Sequence, residues 1–247
     1  MKERQPIVAI DGPAGSGKST VAKLTAERTG LQFVSSGAMY RAVALYARRK
    51  GIPAPDETSL VELSRQLVFL FSTDAQGNIH TCVNGEDITD ALRSPEVGAL
   101  ASEIATIPAV RAQLVAKQQA YGRAGGVIME GRDIQTVVFP DADIKIFLTA
   151  SEEERARRRW NELTERGEFL PYQSVLDEVC ARDRRDAERD VSPLRPADDA
   201  ISVNTDNRTI AEVVDILVQL ITVWQLHPEL HGDALARAAG FSKGTCI

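Results

Sequence analysis

The 247-residue chain has little cysteine, few aromatics (5%) and no long apolar run. Its three cysteines, Cys82, Cys180 and Cys246, lie far apart without C-x-x-C spacing. A disulfide framework and a thiolate metal site are therefore not expected, and a reducing compartment fits. Nothing approaches the ~18 consecutive apolar residues of a membrane span. The run at residues 7–10 is too short for a secretory core, so a cytoplasmic location is expected. Charge is not weighted toward basic residues: 29 Lys and Arg stand against 35 Asp and Glu, a net −6. Nucleic acid and anionic membranes are not expected partners. Histidine is scarce too. His227 and His231 are separated by Pro228 with no third ligand near, so no histidine metal site is expected. No nucleophile motif accompanies them, so a Ser-His-Asp triad is not expected either.

What remains is ordinary globular composition, 43% apolar and 26% charged, enough for one good-sized domain or one domain with insertions. Residues 7–11 read as a short buried strand bounded by glycine, and residues 18–29 as a helix stopped by Gly30. A second unit follows, extended at 32–34 and helical over 38–50. Residues 127–129, 144–148 and 200–203 are short apolar runs suited to buried parallel strands. Strands alternating with helices predict a three-layer α/β fold with a parallel central sheet.

Two stretches break that rhythm. Residues 67–88 hold two β-like runs, with turns around residues 75–78 and at Asn84-Gly85, and read as a small antiparallel insert. Residues 151–190 carry nine arginines, twelve acids and no lysine. Ser151 is placed to cap a helix there, with Glu154 completing a capping box. The expected organisation is a core over 1–62 and 92–224 with a helical, arginine-rich lid at about 151–190, the insert over 63–91, and a tail over 225–247.

Gly12-Pro13-Ala14-Gly15-Ser16-Gly17-Lys18-Ser19 fits the phosphate-loop pattern G-x-x-x-x-G-K-[ST] in full, between an expected strand and an expected helix. Small residues let backbone N–H groups curl around an anion, and the helix N-terminus adds roughly half a positive charge. ATP is expected on residues Gly12 to Thr20. Lys18 would reach the β and γ phosphates, and the Ser19 hydroxyl would ligate Mg²⁺. The N-K-x-D guanine signature of a GTP switch is missing, and the D-x-x-G string at 74–77 reads as a turn inside the insert. Arginine in place of lysine also informs, because guanidinium stays charged and grips phosphate oxygens in pairs. Phosphoryl transfer depends on positioning and charge neutralisation, which converging arginines supply. For Arg157 and Arg158 a solvated helical face paired with Glu152 to Glu154 competes with that role.

At this point the chain resembles bacterial cytidylate kinases. The resemblance lies in IDGPAGSGKST, SGAMYRA at 36–42, EGRDIQTVVFPDA at 130–142, SEEERARRR from 151, and RDRRDAERDVSPLRPADDA at 182–200. It implies a P-loop kinase fold with a nucleotide-monophosphate insert and a helical lid. It also implies transfer of the γ-phosphoryl of MgATP to CMP or dCMP by a monomer acting on free nucleotides. By matched position, Ser36, Arg41, Arg132 and Arg189 would address CMP and its phosphate, and Ser102, Arg111 and Asp133 would read the cytosine edge. Asp186 and Arg182 would touch the sugar or the transferring group, with Lys18, Arg132, Arg182 and Arg189 as the catalytic cations. A carboxylate accepts from an exocyclic amine and an arginine donates to a ring carbonyl, so uracil would leave Asp133 unsatisfied. Two positions depart from the pattern. Ser35 stands where it has Asp, removing an acid near the Mg²⁺ or the acceptor, and Gln135 stands where it has Gly, which is expected to narrow the acceptor cleft. Other small-acceptor kinases, for UMP, AMP or a sugar acid, remain open, as does a nucleotide-binding switch.

Overall fold

Residues 4–74 and 77–241 are described by the computed structural model. The chain divides into two units, Met1–Gln32 with Gly125–Ile247, and Phe33–Ala124. The first unit begins with β1 (Ile7–Asp11), α1 (Lys18–Thr29) and β2 (Gln32–Ser35), at which the chain leaves it.

The second unit contains α2 (Ser36–Lys50), α3 (Glu57–Gln66), β3 (Phe69–Thr73), β4 (Ile79–Val83), β5 (Glu86–Asp87), α4 (Pro95–Ile104) and α5 (Pro108–Gly122). Helix α2 starts two residues earlier than expected because the Ser35 hydroxyl accepts from Ala38 N–H and caps it. It packs on α3 and α4, and α3 packs on α5, burying Met39, Val43, Leu60, Val97, Ile104 and Leu114. The three short strands form the antiparallel sheet β3-β4-β5. Asn84 and Gly85 both take positive φ, 51° and 86°, the type I′ geometry that suits a two-residue hairpin. Of the other expected turn, Ala75 and Gln76 lie outside the described residues, while Gly77 N–H donates to Asp74 O.

Returning to the first unit, the chain forms β6 (Val127–Gly131), β7 (Ile144–Thr149), α6 (Glu152–Glu165), α7 (Tyr172–Glu188), β8 (Ile201–Asn204), α8 (Ile210–Leu226) and α9 (Gly232–Ala238). The five-stranded sheet runs in the order β2-β6-β1-β7-β8. β1 is parallel to β6 and β7, and β7 to β8. Val8, Ala9 and Ile10 of β1 are fully buried, because a central parallel strand is covered on both faces and needs apolar side chains throughout. Helix α8 packs on α1 and β7. Thr209 and Glu212 form its capping box, and it buries Leu217, Leu220, Ile221 and Trp224, each contributing roughly 1.5–3 kcal/mol.

The box expected at Ser151 is only half formed. Its hydroxyl accepts from Glu154 N–H, but Ser151 N–H goes to Asp206, and the Glu154 carboxylate is taken by Arg157 and Arg158. Beyond α8, Leu235 of α9 is buried and Gln219 donates to Ala239 O at 2.6 Å. No helix among the described residues is long and apolar enough to cross a membrane.

Candidate active site

The first unit carries the phosphate loop where β1 ends. Gly12 has φ +152°, and a Cβ there would lie 2.1 Å from Leu148 O of β7, so only glycine fits. Each carbonyl from Pro13 to Gly17 meets a donor. Pro13 O accepts from Lys18 Nζ at 2.6 Å, Ala14 O from Arg155 Nη1 at 3.0 Å and Gly15 O from Arg158 Nη1 at 3.4 Å. Ser16 O accepts from the Thr205 hydroxyl at 3.4 Å, and Gly17 O from Val21 N–H at 3.0 Å. A planar trans peptide that turns its carbonyl toward these groups turns its N–H the other way, as an anion cradle requires, although Ser16 N–H itself donates to Pro13 O at 3.4 Å. α1 then begins with no side-chain cap on its N-terminus.

Lys18 is buried, and its ammonium is held well below its ordinary pKa, first by burial and then by repulsion from Arg132, which Glu130 and Asp11 partly offset. A bound polyphosphate would supply negative charge that offsets this cost. Ser19 and Thr20, the next residues of α1, are exposed. Among the described residues no group of three His, Cys, Asp or Glu side chains is placed to hold a metal. The oxygen donor of Ser19 beside a phosphate cradle fits a hard cation held mainly by phosphate oxygens and water.

A second cluster surrounds Asp186 on α7. Arg132 Nε donates to Asp186 Oδ2 at 2.9 Å. Burial pushes the Asp186 carboxyl up, but Arg132, Arg182 and Arg189 together hold it below its usual value. Arg189 donates to Ser192 O at 2.5 Å. Arg132, Arg182 and Arg189 are thus brought together from the end of β6 and from α7 with its C-terminal flank. Arg132 and Arg182 are also close enough to Lys18 to disfavour its charge. Asp133, next to Arg132, is buried.

The second unit holds the other expected acceptor residues. Ser36 opens α2 and is buried, and Arg41 follows on the same helix, partly exposed. Arg111 is 3% exposed. Its guanidinium lies 5.6 Å from the Tyr40 ring centre and donates to Ala105 O at 3.0 Å. The Ser102 hydroxyl donates to Gly98 O one turn back on α4.

Three first-unit residues, Arg155, Thr205 and Asp11, have no assigned role in the sequence reading, and for Arg158 the structure decides between two readings. Arg155, 3% exposed, joins the phosphate loop to α7 through Asp183 at 2.5 Å. Arg158 is not on a solvated face: it also holds Thr205 through Oγ1 at 3.0 Å and O at 2.8 Å. Arg157, paired with Glu154 and 64% exposed, is. Thr205 itself carried no motif. Asp11, fully buried, accepts from Ile134 N–H at 3.0 Å and Gln135 N–H at 2.8 Å. Its position at the C-terminal end of the loop strand was the available signal. Gln135, expected to narrow an acceptor cleft, is 1% exposed, and its amide bonds inward to Ile146 O and Ala197 N–H. It lines no opening because both ends of the amide are engaged inside this unit.

Residues 8–223 match the family model described as Cytidylate kinase. A protein of Pelotomaculum thermopropionicum named cytidylate kinase is 48% identical over 217 residues, covering 88% of this chain and 96% of its own. One from Pseudomonas syringae pv. tomato with the same name is 44% identical, covering 90% and 98%. A Synechococcus protein named bifunctional pantoate ligase/cytidylate kinase is 47% identical over 88% of this chain, which spans 40% of that longer protein.

Proposed function

The chain belongs to the cytidylate kinase family, and from that premise we propose how its own residues carry the transfer of the γ-phosphoryl group of ATP to CMP or dCMP. Residues Gly12 to Thr20 take the triphosphate through inward N–H groups, and Lys18 neutralises the β and γ oxygens. Ser19 would hold Mg²⁺, which when bound would supply positive charge to offset that of the phosphates. Arg41, Arg132 and Arg189 grip the acceptor phosphate, with Ser36 beside it. Asp133 accepts from the cytosine amine, while Arg111 and Ser102 complete the base edge. Arg182 faces the transferring group, and Asp186 meets the sugar and offsets the mutual repulsion of the guanidinium groups. No separate base is assigned, since the acceptor phosphate is already ionised near neutral pH.

The observation that carries this reading is the gathering of Arg132, Arg182 and Arg189 around Asp186, with Arg132 and Arg182 close enough to act on Lys18. A nucleotide switch has no use for a second phosphate grip beside the first. We place the enzyme in the cytoplasm as a monomer acting on free nucleotides, without a nucleic acid or membrane partner. The test is an ADP-release assay with MgATP against CMP, dCMP, UMP and AMP in turn. CMP and dCMP should stimulate release at least 10²-fold more efficiently than UMP, the order expected when a buried polar group loses its partner. Equal stimulation by UMP would remove Asp133 from the base site, and no stimulation by CMP would remove the reading.

A further inference from the structure

Asp11 and Gln135, two buried polar residues of the first unit, are bonded to the segments that carry the arginine cluster. Asp11 receives the first two N–H groups of a single π turn, Ile134–Val138. It does for that turn what a capping side chain does for a helix, from a different strand. The turn follows Arg132 and Asp133 directly, so the bonds to Asp11 fix the backbone on which both side chains stand. Gln135 lies within the turn. Its Oε1 accepts from Ala197 N–H at 3.0 Å, and its Nε2 points to Ile146 O of β7. Three residues before Ala197, Leu194 N–H donates to Asp186 O at 2.7 Å, and the Asp186 carboxylate holds Arg132 Nε at 2.9 Å. The path therefore closes on itself, running from Arg132 through the π turn, Gln135, Ala197, Leu194 and Asp186 back to the Arg132 guanidinium.

We propose that Asp11 and Gln135 are positioning residues for phosphoryl transfer: Gln135 closes this ring and Asp11 anchors the turn that begins it, and together they hold the Arg132 guanidinium in place from both its ends. The inference rests on the reading of Arg132 as an acceptor-phosphate arginine. Neither residue is assigned a nucleotide contact, since the side-chain polar atoms of both are taken by protein partners, and each acts through another group. Gln135 sets the height of the 194–197 segment and with it Asp186. Asp11 sets the start of the turn and with it Arg132. A displacement near 1 Å of a phosphate-gripping group costs on the order of 10²-fold in rate, so a loosened ring is expected to show in kinetics before it shows in folding.

The experiment is steady-state kinetics on the full chain for wild type, Gln135→Met, Arg132→Ala and the double variant, with thermal unfolding recorded for each. Methionine keeps the volume and removes the bonds to Ala197 and Ile146. The expected result is a loss of roughly 10-fold or more in kcat/KM for CMP in Gln135→Met, with KM for ATP changed less than about twofold. In the Arg132→Ala background the same substitution should add almost nothing, because the group it positions is gone. Equal losses in the ATP and CMP parameters, or a full additional loss in the double variant, would overturn the proposal and leave Gln135 a packing residue. Should Gln135→Met unfold below the assay temperature, Asp11→Asn is read in the same cycle. It keeps the shape but offers one acceptor oxygen where the turn needs two. Wild type failing to release ADP with CMP would sink the acceptor reading and this inference together. Activity in wild type with no CMP-specific loss in either variant would sink only this inference.

Discussion

The phosphate loop and the arginine cluster lie in the same unit and differ in how they are built. The loop is eight consecutive residues, Gly12 to Ser19, running from the end of β1 into the first turn of α1, and the groups we assign to its ligand are backbone N–H. The cluster is assembled from positions 132, 182, 186 and 189, and its working groups are the ends of long side chains. In the loop, distant side chains serve the backbone: Arg155, Arg158 and Thr205 hold the carbonyls of Ala14, Gly15 and Ser16. In the cluster the backbone serves the side chains, through the π turn under Arg132 and the bond from Leu194 to Asp186. A backbone site is fixed by conformation, whereas a side-chain site must be fixed by partners that also keep like charges apart.

The largest effect should come from Lys18, the side chain of the loop that we assign to the phosphates. Lys18→Ala is expected to lower kcat by at least ~10³-fold, the scale of losing a fixed cation at a charged transition state. Burial holds the Lys18 ammonium well below its ordinary pKa, so its charge opposes folding, and the unfolding midpoint should not fall with the activity. Chemical denaturation beside the ADP-release assay separates the two. A variant that loses both together would mean that Lys18 holds the loop rather than the phosphate, which would dissolve the contrast between the two regions.

A smaller effect should come from the carbonyl side of the loop. Arg155→Met removes the donor to Ala14 O and strands Asp183, whose side chain is 18% exposed. Breaking such a buried pair costs about 3 kcal/mol or more, most of it from the uncompensated carboxylate. KM for ATP should rise roughly 10-fold while KM for CMP stays within about twofold, the reverse of the pattern expected for Gln135→Met. If instead KM for CMP rises and KM for ATP does not, the carbonyl donors belong to the acceptor side, and the division drawn above is misplaced.

This contrast also explains what could be read before the fold was known. The loop was legible to the residue because its meaning is local: a strand, small residues that permit positive φ, then a lysine and a helix. The parallel strands were legible from their apolar runs, and the Asn84-Gly85 hairpin from two residues that tolerate positive φ. Arg158 was not, because the same i,i+4 spacing to Glu154 serves a solvated pair and a loop clamp equally well. Only tertiary placement beside Thr205 separates them. Gln135 was misread because sequence gives the size of a side chain but not its direction. Asp11 passed unremarked because its partners, two amide hydrogens, lie more than 120 positions away.

The smallest expected effect sharpens the comparison through two buried charges with opposite slopes. Burial raises the Asp11 carboxyl to about 6, and the N–H bonds from Gln135 and Ile134 offset this only in part. The native chain therefore binds a proton that the unfolded chain, at its ordinary value of 3.8, has already released. Between those two values stability contributed by Asp11 rises as pH falls. Lys18 runs the other way: its lowered pKa means that the native chain releases its proton first as pH rises, and stability gains with pH in that alkaline window. Asp11→Asn does not titrate, so the difference in unfolding free energy between wild type and Asp11→Asn isolates the carboxyl. On moving from pH 7.5 to pH 5 that difference should shift toward wild type by about 1 kcal/mol, since one pH unit is worth at most ~1.4 kcal/mol for a single group. A shift toward Asp11→Asn would mean that the π turn holds the carboxylate ionised more strongly than burial neutralises it. The turn under Arg132 would then be fixed by a charged acceptor, in contrast to the phosphate loop, which is fixed by its backbone conformation.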